Sequence, residues 1–450
     1  MKSATQNMTE GKPLSLILKF FFPLLFGILF QQFYSLVDTA IVGQFLGKHN
    51  LAAVGSTGSV NFLILGFCMG VCNGFAIPVA QKFGAGDESG LRRYVANGVW
   101  LSIIFATVMT IVVTVLCRQI LIWMDTPTNI LEAANAYIFI IFLGIPITFL
   151  YNLLSGYIRA LGDSRTPLIF LIISSLLNIG LDLLAILVFH WGVRGAAIAT
   201  VIAQGVAGVL CLIYMKKKMT MFAMSREEWQ INGRCVAHLC GMGIPMGLQY
   251  SITALGSVVL QRAVNNLGST AVAAVSSAGK LTMFFCCPFD AMGSTMVTYA
   301  GQNLGAGKLK RVDRGIFACS SLALIYSLIA FVVMYAAGGQ LSLIFVDQEE
   351  VALIGLMVRF MRLNTWFYFP LALVNIVRFT IQGLGFGKLA MIAGVCEMVA
   401  RSVVGFYFVP IFGYTAACLA SPIAWILADM FLIPAYFLCM RHLRKKGLTT

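Results

Sequence analysis

Twelve runs of about 20 or more apolar residues dominate the chain, and each is long enough to cross a bilayer as a helix rising 1.5 Å per residue. They lie near 14–37, 51–77, 94–117, 132–157, 167–189, 194–214, 237–261, 271–300, 315–337, 352–377, 389–411 and 414–440. Only 11% of the 450 residues are charged and 59% are hydrophobic. A soluble domain carries about 25% charged residues, so this chain cannot cover a water-soluble globule. The sequence predicts an all-α integral membrane protein with twelve transmembrane helices. Soluble enzymes, nucleic-acid-binding modules and secreted disulfide scaffolds are excluded. The 12 cysteines form no CxxC pair and read as small packing residues.

The basic excess, 31 Lys+Arg against 17 Asp+Glu, sorts by topology. With the N-terminus in the cytoplasm, 23 basic residues fall in cytoplasmic segments and four (Lys48, Arg118, Arg194, Arg262) in outer loops. Four more, Lys280, Arg359, Arg362 and Arg401, fall inside spans. That bias predicts a multi-pass protein of the cell membrane with both termini cytoplasmic. The charge thus marks contact with the lipid bilayer and no nucleic-acid partner.

An internal repeat of 221 residues is legible. Leu46-Gly47 with Ala52-Ala53-Val54 returns as Leu267-Gly268 with Ala273-Ala274-Val275. Gln81…Gly84-Ala85-Gly86 returns as Gln302…Gly305-Ala306-Gly307, and Gly192…Ala197 returns as Gly413…Cys418. The expected organisation is an N-terminal six-helix lobe (1–214), a cytoplasmic linker (215–236) and a C-terminal six-helix lobe (237–450). Six is even, so the repeats run parallel, as in many secondary transporters. The Gly-Ala-Gly segments read as tight turns. No G-x-x-x-x-G-K-[ST] motif occurs, since Gly307-Lys308 is followed by Leu309. The chain therefore has no ATPase site of its own, and energy must come from an ion gradient or a partner.

Five acids sit inside apolar runs: Asp38, Asp182, Asp290, Glu397 and Asp429. A carboxylate at mid-bilayer costs roughly 2.5–3.5 kcal/mol and is a functional candidate by default. Asn178 and Asp182 share a helix face, four residues apart. Helix rise places Asp182 about 22 Å from the inner surface, with Asp38 and Thr200 at similar depth. Asp38, Asn178, Asp182 and Thr200 form the candidate coupling site, able to take a proton or Na⁺ through hard oxygens. Glu397 and Arg401 read as an i,i+4 structural ion pair. Asp290 is a candidate attraction for a cationic substrate, and Met69, Met283 and Met292 would line an adaptable apolar site.

These features resemble the multidrug and toxic compound extrusion (MATE) transporters: the run Val37-Asp38-Thr39-Ala40-Ile41-Val42-Gly43, the paired Gln…Gly-Ala-Gly loops, and Asn178-x-x-x-Asp182. The resemblance covers essentially the whole chain. The four histidines fall at span ends and no cofactor motif occurs, so no cofactor and no enzymatic activity are expected of a chain that works as a monomer. The resemblance implies a V-shaped pair of lobes and export of amphipathic, often cationic compounds in exchange for H⁺ or Na⁺. It carries the family's N-lobe cation site onto Asp38, Asn178, Asp182 and Thr200. Spans 7 and 10 carry no acid here, which argues against a second cation site of the kind some members have there. The alternative is a lipid-linked-sugar flippase of the same superfamily, with Lys280, Arg359, Arg362 and Arg401 lining a cationic cavity.

Overall fold

With no water in a bilayer core, a spanning segment must satisfy its own backbone, and these apolar runs do so as helices. The computed structural model describes residues 5–447; residues 1–4 and 448–450, with which the expected lobes begin and end, lie outside the described residues. The first half of the chain forms α1 (Pro13–Ser56), α2 (Gly58–Gly84), α3 (Glu88–Val115), α4 (Cys117–Trp123), α5 (Leu131–Leu143), α6 (Ile145–Ala160), α7 (Arg165–Leu183) and α8 (Gly192–Lys218). The second half forms α9 (Gly233–Asn265), α10 (Ser269–Gly305), α11 (Leu309–Ser342), α12 (Val351–Thr365), α13 (Tyr368–Gly383), α14 (Gly387–Val403), α15 (Val409–Phe412) and α16 (Tyr414–Lys445).

Among the described residues, ten helices are long and apolar enough to cross a membrane. The number rises to eleven if α5 and α6, bent by 48° at Gly144, count as one broken span. The expected run 352–377 is the one that falls short. It breaks at Trp366–Phe367 into α12 and α13, of 15 and 16 residues. The chain is thus a multi-pass, all-α membrane protein. Several basic residues assigned to cytoplasmic segments lie within the ends of helices, Arg159 and Arg378 among them. Arg159 and Arg378 follow the points where the apolar runs were ended, but α6 and α13 continue past them.

The sequence repeat has a backbone counterpart. Gly47 and Gly268, Gly86 and Gly307, and Gly192 and Gly413 are left-handed pairs at the 221-residue offset; Gly162 and Gly385 are a fourth pair, two residues further apart. At the second pair the reason is explicit. Gly86 N–H and Gly307 N–H donate to Phe83 O (3.1 Å) and Leu304 O (3.0 Å). The next residues, Asp87 and Lys308, donate back to Lys82 O (3.1 Å) and Asn303 O (2.8 Å). This closure of a helix end needs a left-handed residue, which costs any side chain about 1–2 kcal/mol. Asp87 then caps α3, accepting from Gly90 N–H at 2.8 Å. The hydrogen-bonded ammonium of Lys82, and then Gly90 N–H, hold the Asp87 carboxyl below the usual carboxylate range.

By packing, the chain divides into two compact units. One comprises the N-terminal residues to Met8 and Phe22–Ser251; the other comprises Thr9–Phe21 and Ile252 onward. In the first, glycines bring α2 and the start of α9 into backbone contact. A Cβ on Gly70 would lie 2.7 Å from Gly247 Cα, and one on Gly74 would lie 2.5 Å from Gly243 Cα. In the second, a Cβ on Gly383 of α13 would lie 2.5 Å from Val297 O of α10. Small residues at helix contacts are the expected packing device where lipid removes the hydrophobic drive between helices.

Two glycine substitutions should therefore behave oppositely. Gly162 is left-handed and a Cβ there would collide with the Gln6 carbonyl, so Gly162→Ala should destabilise the detergent-solubilised protein by at least about 1–2 kcal/mol. Gly339 lies in α11 with nothing within 4 Å of its Cβ position; Gly339→Ala should raise Tm slightly, since Ala exceeds Gly in helix propensity by about 1 kcal/mol.

Candidate cation site

Asn178 and Asp182 lie on α7, 1% and 0% exposed. Asp182 is 17 residues after Arg165, where α7 begins, hence about 26 Å along the helix. The carboxyl groups of Asp38 on α1 and Asp182 come within hydrogen-bonding reach of each other. Three of their four oxygens, Asp38 Oδ1 and both of Asp182, are buried without a hydrogen-bond donor. Tyr34, one turn before Asp38 on α1, donates its hydroxyl to Asn178 Oδ1 and lies beside Thr200 of α8. Tyr137 of α5, 7% exposed, stands close to both carboxylates. Thr200 gives its hydroxyl proton to Ala196 O at 3.0 Å, which leaves its oxygen lone pairs turned to other uses. The four residues expected from sequence thus lie in one unit. Two tyrosines join them, and Tyr34 was legible as the i−4 neighbour of Asp38.

Facing carboxylates away from water repel if both are bare. A shared proton or a cation between them removes that cost. Among the described residues no three His, Cys, Asp or Glu side chains cluster in a metal-binding arrangement. A cation here would therefore draw on two carboxylates supplemented by amide and hydroxyl oxygens, a set that suits a proton or a hard monovalent ion. A π turn, Leu184–Val188, follows Asp182 directly. It is no signature of the site, because Val404–Phe408 forms the same turn in the other half.

The C-terminal unit has no acid at the matching place. Asp182 stands two residues before its π turn, and the residue two before the second turn is Ser402, whose hydroxyl donates to Met398 O at 2.8 Å. Gly405 lies within that turn, where a Cβ would meet Ala263 at 3.3 Å. Ala263, Val404, Ala417 and Ala420 pack there, each at most 7% exposed. Charge sits elsewhere in this unit. Glu397, 3% exposed, accepts from Arg401 Nη2 at 3.3 Å and also from Arg378 Nη2. The expected pair is a triad, and Arg378 was missed because its apolar run was ended one residue too early. Asp429 is 8% exposed, with Oδ1 unpartnered and Arg378 nearby.

The suggested substrate-contacting residues separate. Asp290 is exposed and accepts from Asn375 Nδ2 at 3.3 Å. Met283 is exposed at 47% and Met69 is half-buried. Met292 is 3% exposed, sealed into packing. Of the arginines weighed for a cationic cavity, Arg401 is tied to Glu397. Arg362 lies over the Tyr335 ring at 5.0 Å, and Arg359 donates to Thr415 Oγ1 at 2.6 Å. Lys280 is exposed.

Glu397→Gln leaves two buried guanidinium groups without a carboxylate, and removing one partner of a buried ion pair costs about 3–5 kcal/mol. The thermal midpoint of the purified variant should fall accordingly. Replacing Arg378, Glu397 and Arg401 together by apolar residues of similar volume should restore most of that loss.

Comparison with known proteins agrees with the repeat and the fold. The sequence model of the MatE family matches twice, over residues 23–184 and 245–407. The chain is 29% identical over 377 residues to the probable multidrug resistance protein YpnP of Bacillus subtilis, covering 82% of each. It is 23% identical over 433 residues to a FAD transporter of Shewanella oneidensis, covering 93% of this chain and 92% of the relative. Its fold superposes with a TM-score of 0.91 on a MATE structure in the bent conformation, at 21% identity and covering 100% of both chains. A TM-score of 0.91 is also found with the outward-facing conformation of a multidrug resistance MATE transporter, at 20% identity and 98% and 99% coverage. With the family model matched over well more than half its length, this chain belongs to the MatE family and is a membrane transporter rather than an enzyme.

Proposed function

We propose that this transporter exports amphipathic, often cationic compounds across the cell membrane in antiport with H⁺ or Na⁺, bound at Asp38, Asn178, Asp182 and Thr200. The observation that carries this reading is the facing carboxylate pair, Asp182 buried and Asp38 half-buried, with three buried oxygens lacking donors. A cation between the two removes the repulsion that a bare pair would suffer. The names of the relatives, several of them multidrug proteins, support the same substrate class. Tyr34 belongs to the site as the group that orients Asn178.

The finer architecture in this proposal is twelve spans in two parallel six-helix lobes, 1–214 and 237–450, joined by a cytoplasmic linker at 215–236, with both termini cytoplasmic. The pair α12 and α13 supplies the twelfth span. It repeats the broken pair α5 and α6, whose second helix begins at Ile145 where α13 begins at Tyr368. The working unit is a monomer. Exposed Asp290 and Met283 serve as cationic and apolar contacts for substrate, and half-buried Met69 as a further apolar one.

Mechanistically, the carboxylate pair takes a cation from outside, its helices repack, substrate affinity falls and the drug leaves outward. Release of the cation inside resets the pair. One charge moving down about 150 mV supplies about 3.5 kcal/mol, enough for a gradient of roughly a few hundredfold per ion. In energised proteoliposomes, Asp38→Asn and Asp182→Asn should each abolish gradient-driven efflux while sparing folding, and Tyr34→Phe should slow it. Efflux at the wild-type rate in Asp38→Asn overturns the scheme. Imposing a proton gradient and a sodium gradient separately identifies the coupling ion.

A further inference from the structure

The N-terminal unit contains a guanidinium without a counter-ion. Arg159 lies in the last turn of α6. Helical side chains point back toward the N-terminus, and its Nη2 donates to Asn73 Oδ1 at 3.2 Å. Asn73 stands 11 residues before Gly84, the end of α2, which puts the contact about 16 Å along α2 from that end. The ionisable groups around the guanidinium are Cys72 on α2, Tyr151 on α6, Cys211 on α8 and Tyr250 on α9. None is an acid.

Among the described residues, Asn73 is the only hydrogen-bond partner of Arg159, and no carboxylate pairs with it. A guanidinium has five N–H donors and no acceptor, so most of its capacity is unused. Arg159 is half-buried, and none of its nitrogens is sealed into packing without a partner; the free donors remain reachable. The contrast with the other half is direct. There the buried Arg378 and Arg401 share Glu397, and the position matching Arg159 is Gln382, without charge. A charge drawn away from water costs several kcal/mol unless it is paired. A planar donor fork suits carboxylate or phosphate, and flanking tyrosine rings give an apolar tail something to lie against.

We propose that Arg159, positioned by Asn73, binds an anionic group, a carboxylate or phosphate, of an amphipathic ligand within the N-terminal unit. The transported spectrum then extends beyond cations to zwitterionic and anionic amphiphiles. The occupant rests on the efflux reading above, whereas the site is tested by binding, so the two fail separately.

The full chain in phosphatidylcholine nanodiscs is titrated with a xanthene dye carrying a free carboxylate and with the ethyl ester of that dye. The wild type should prefer the acid by about tenfold, which is about 1.4 kcal/mol. Arg159→Gln should abolish the preference and Arg159→Lys should keep part of it. Asn73→Asp should abolish it too, by giving the guanidinium an internal carboxylate; this variant keeps the test open if Arg159→Gln does not fold. Adding phosphatidylglycerol separates the two sources of the anion. Competition with the acid dye in the wild type alone makes the lipid headgroup an occupant, and no competition makes the solute the occupant; both outcomes support the site. A wild type that lacks the preference, or an Arg159→Gln protein that retains it, overturns the proposal. Efflux of the ester under an ion gradient is measured alongside. Its absence with the acid preference intact removes the transport reading and leaves the anion site standing.

Discussion

Hydrocarbon offers a polar group no partner, and nearly every feature of this chain follows from that scarcity. Backbone groups close on themselves in helices, and the turns that end those helices need left-handed glycines to recapture the last carbonyls. The few buried side chains with charge must find partners inside the protein. In the C-terminal unit Glu397 answers two arginines. In the N-terminal unit Asp38 and Asp182 face each other without donors, and Arg159 has an amide in place of an acid. The first arrangement is complete in itself. The other two are left open, and in the proposed scheme a cation and an anionic ligand complete them.

The two halves share a backbone plan and differ in what it carries. Left-handed glycines recur in matched pairs, and a π turn follows α7 and α14 alike. Yet Asp182 precedes the turn in one half and Ser402, its hydroxyl on Met398 O, precedes it in the other. Duplication thus preserved the elements that terminate and pack helices, since those are set by backbone geometry. Side chains at equivalent depth were free to diverge, because a hydroxyl satisfied within its own helix and a carboxylate opening a site both fit the same backbone.

The repeat and the membrane character were legible because they depend on local properties: hydropathy, and glycine at positions no other residue tolerates. The residues proposed for coupling, Asp38, Asn178, Asp182 and Thr200, stand out in the sequence for a related reason, since a polar residue in an apolar run is conspicuous and helix rise converts its position into depth. Tyr34 and Tyr137 did not stand out, because a tyrosine in an apolar run is ordinarily a packing or interfacial residue. Arg159 and Arg378 were hidden differently. Each follows an apolar run closely enough to pass for the start of a basic loop, and only the helix continuing beyond it brings the charge inside.

The sequence by itself determined that the chain crosses a membrane many times, that its halves are copies, and which acids fall inside apolar runs. These are one-dimensional properties, counted along a helix axis. Tertiary structure alone decided which residues meet across helices. It paired Asp38 with Asp182, gave Glu397 a second arginine from α13, sealed Met292 away while leaving Asp290 exposed, and left Arg159 without an acid. Hydropathy places a residue along the membrane normal. The rotation of each helix about its own axis, set by where glycines let neighbouring backbones approach, decides what it faces.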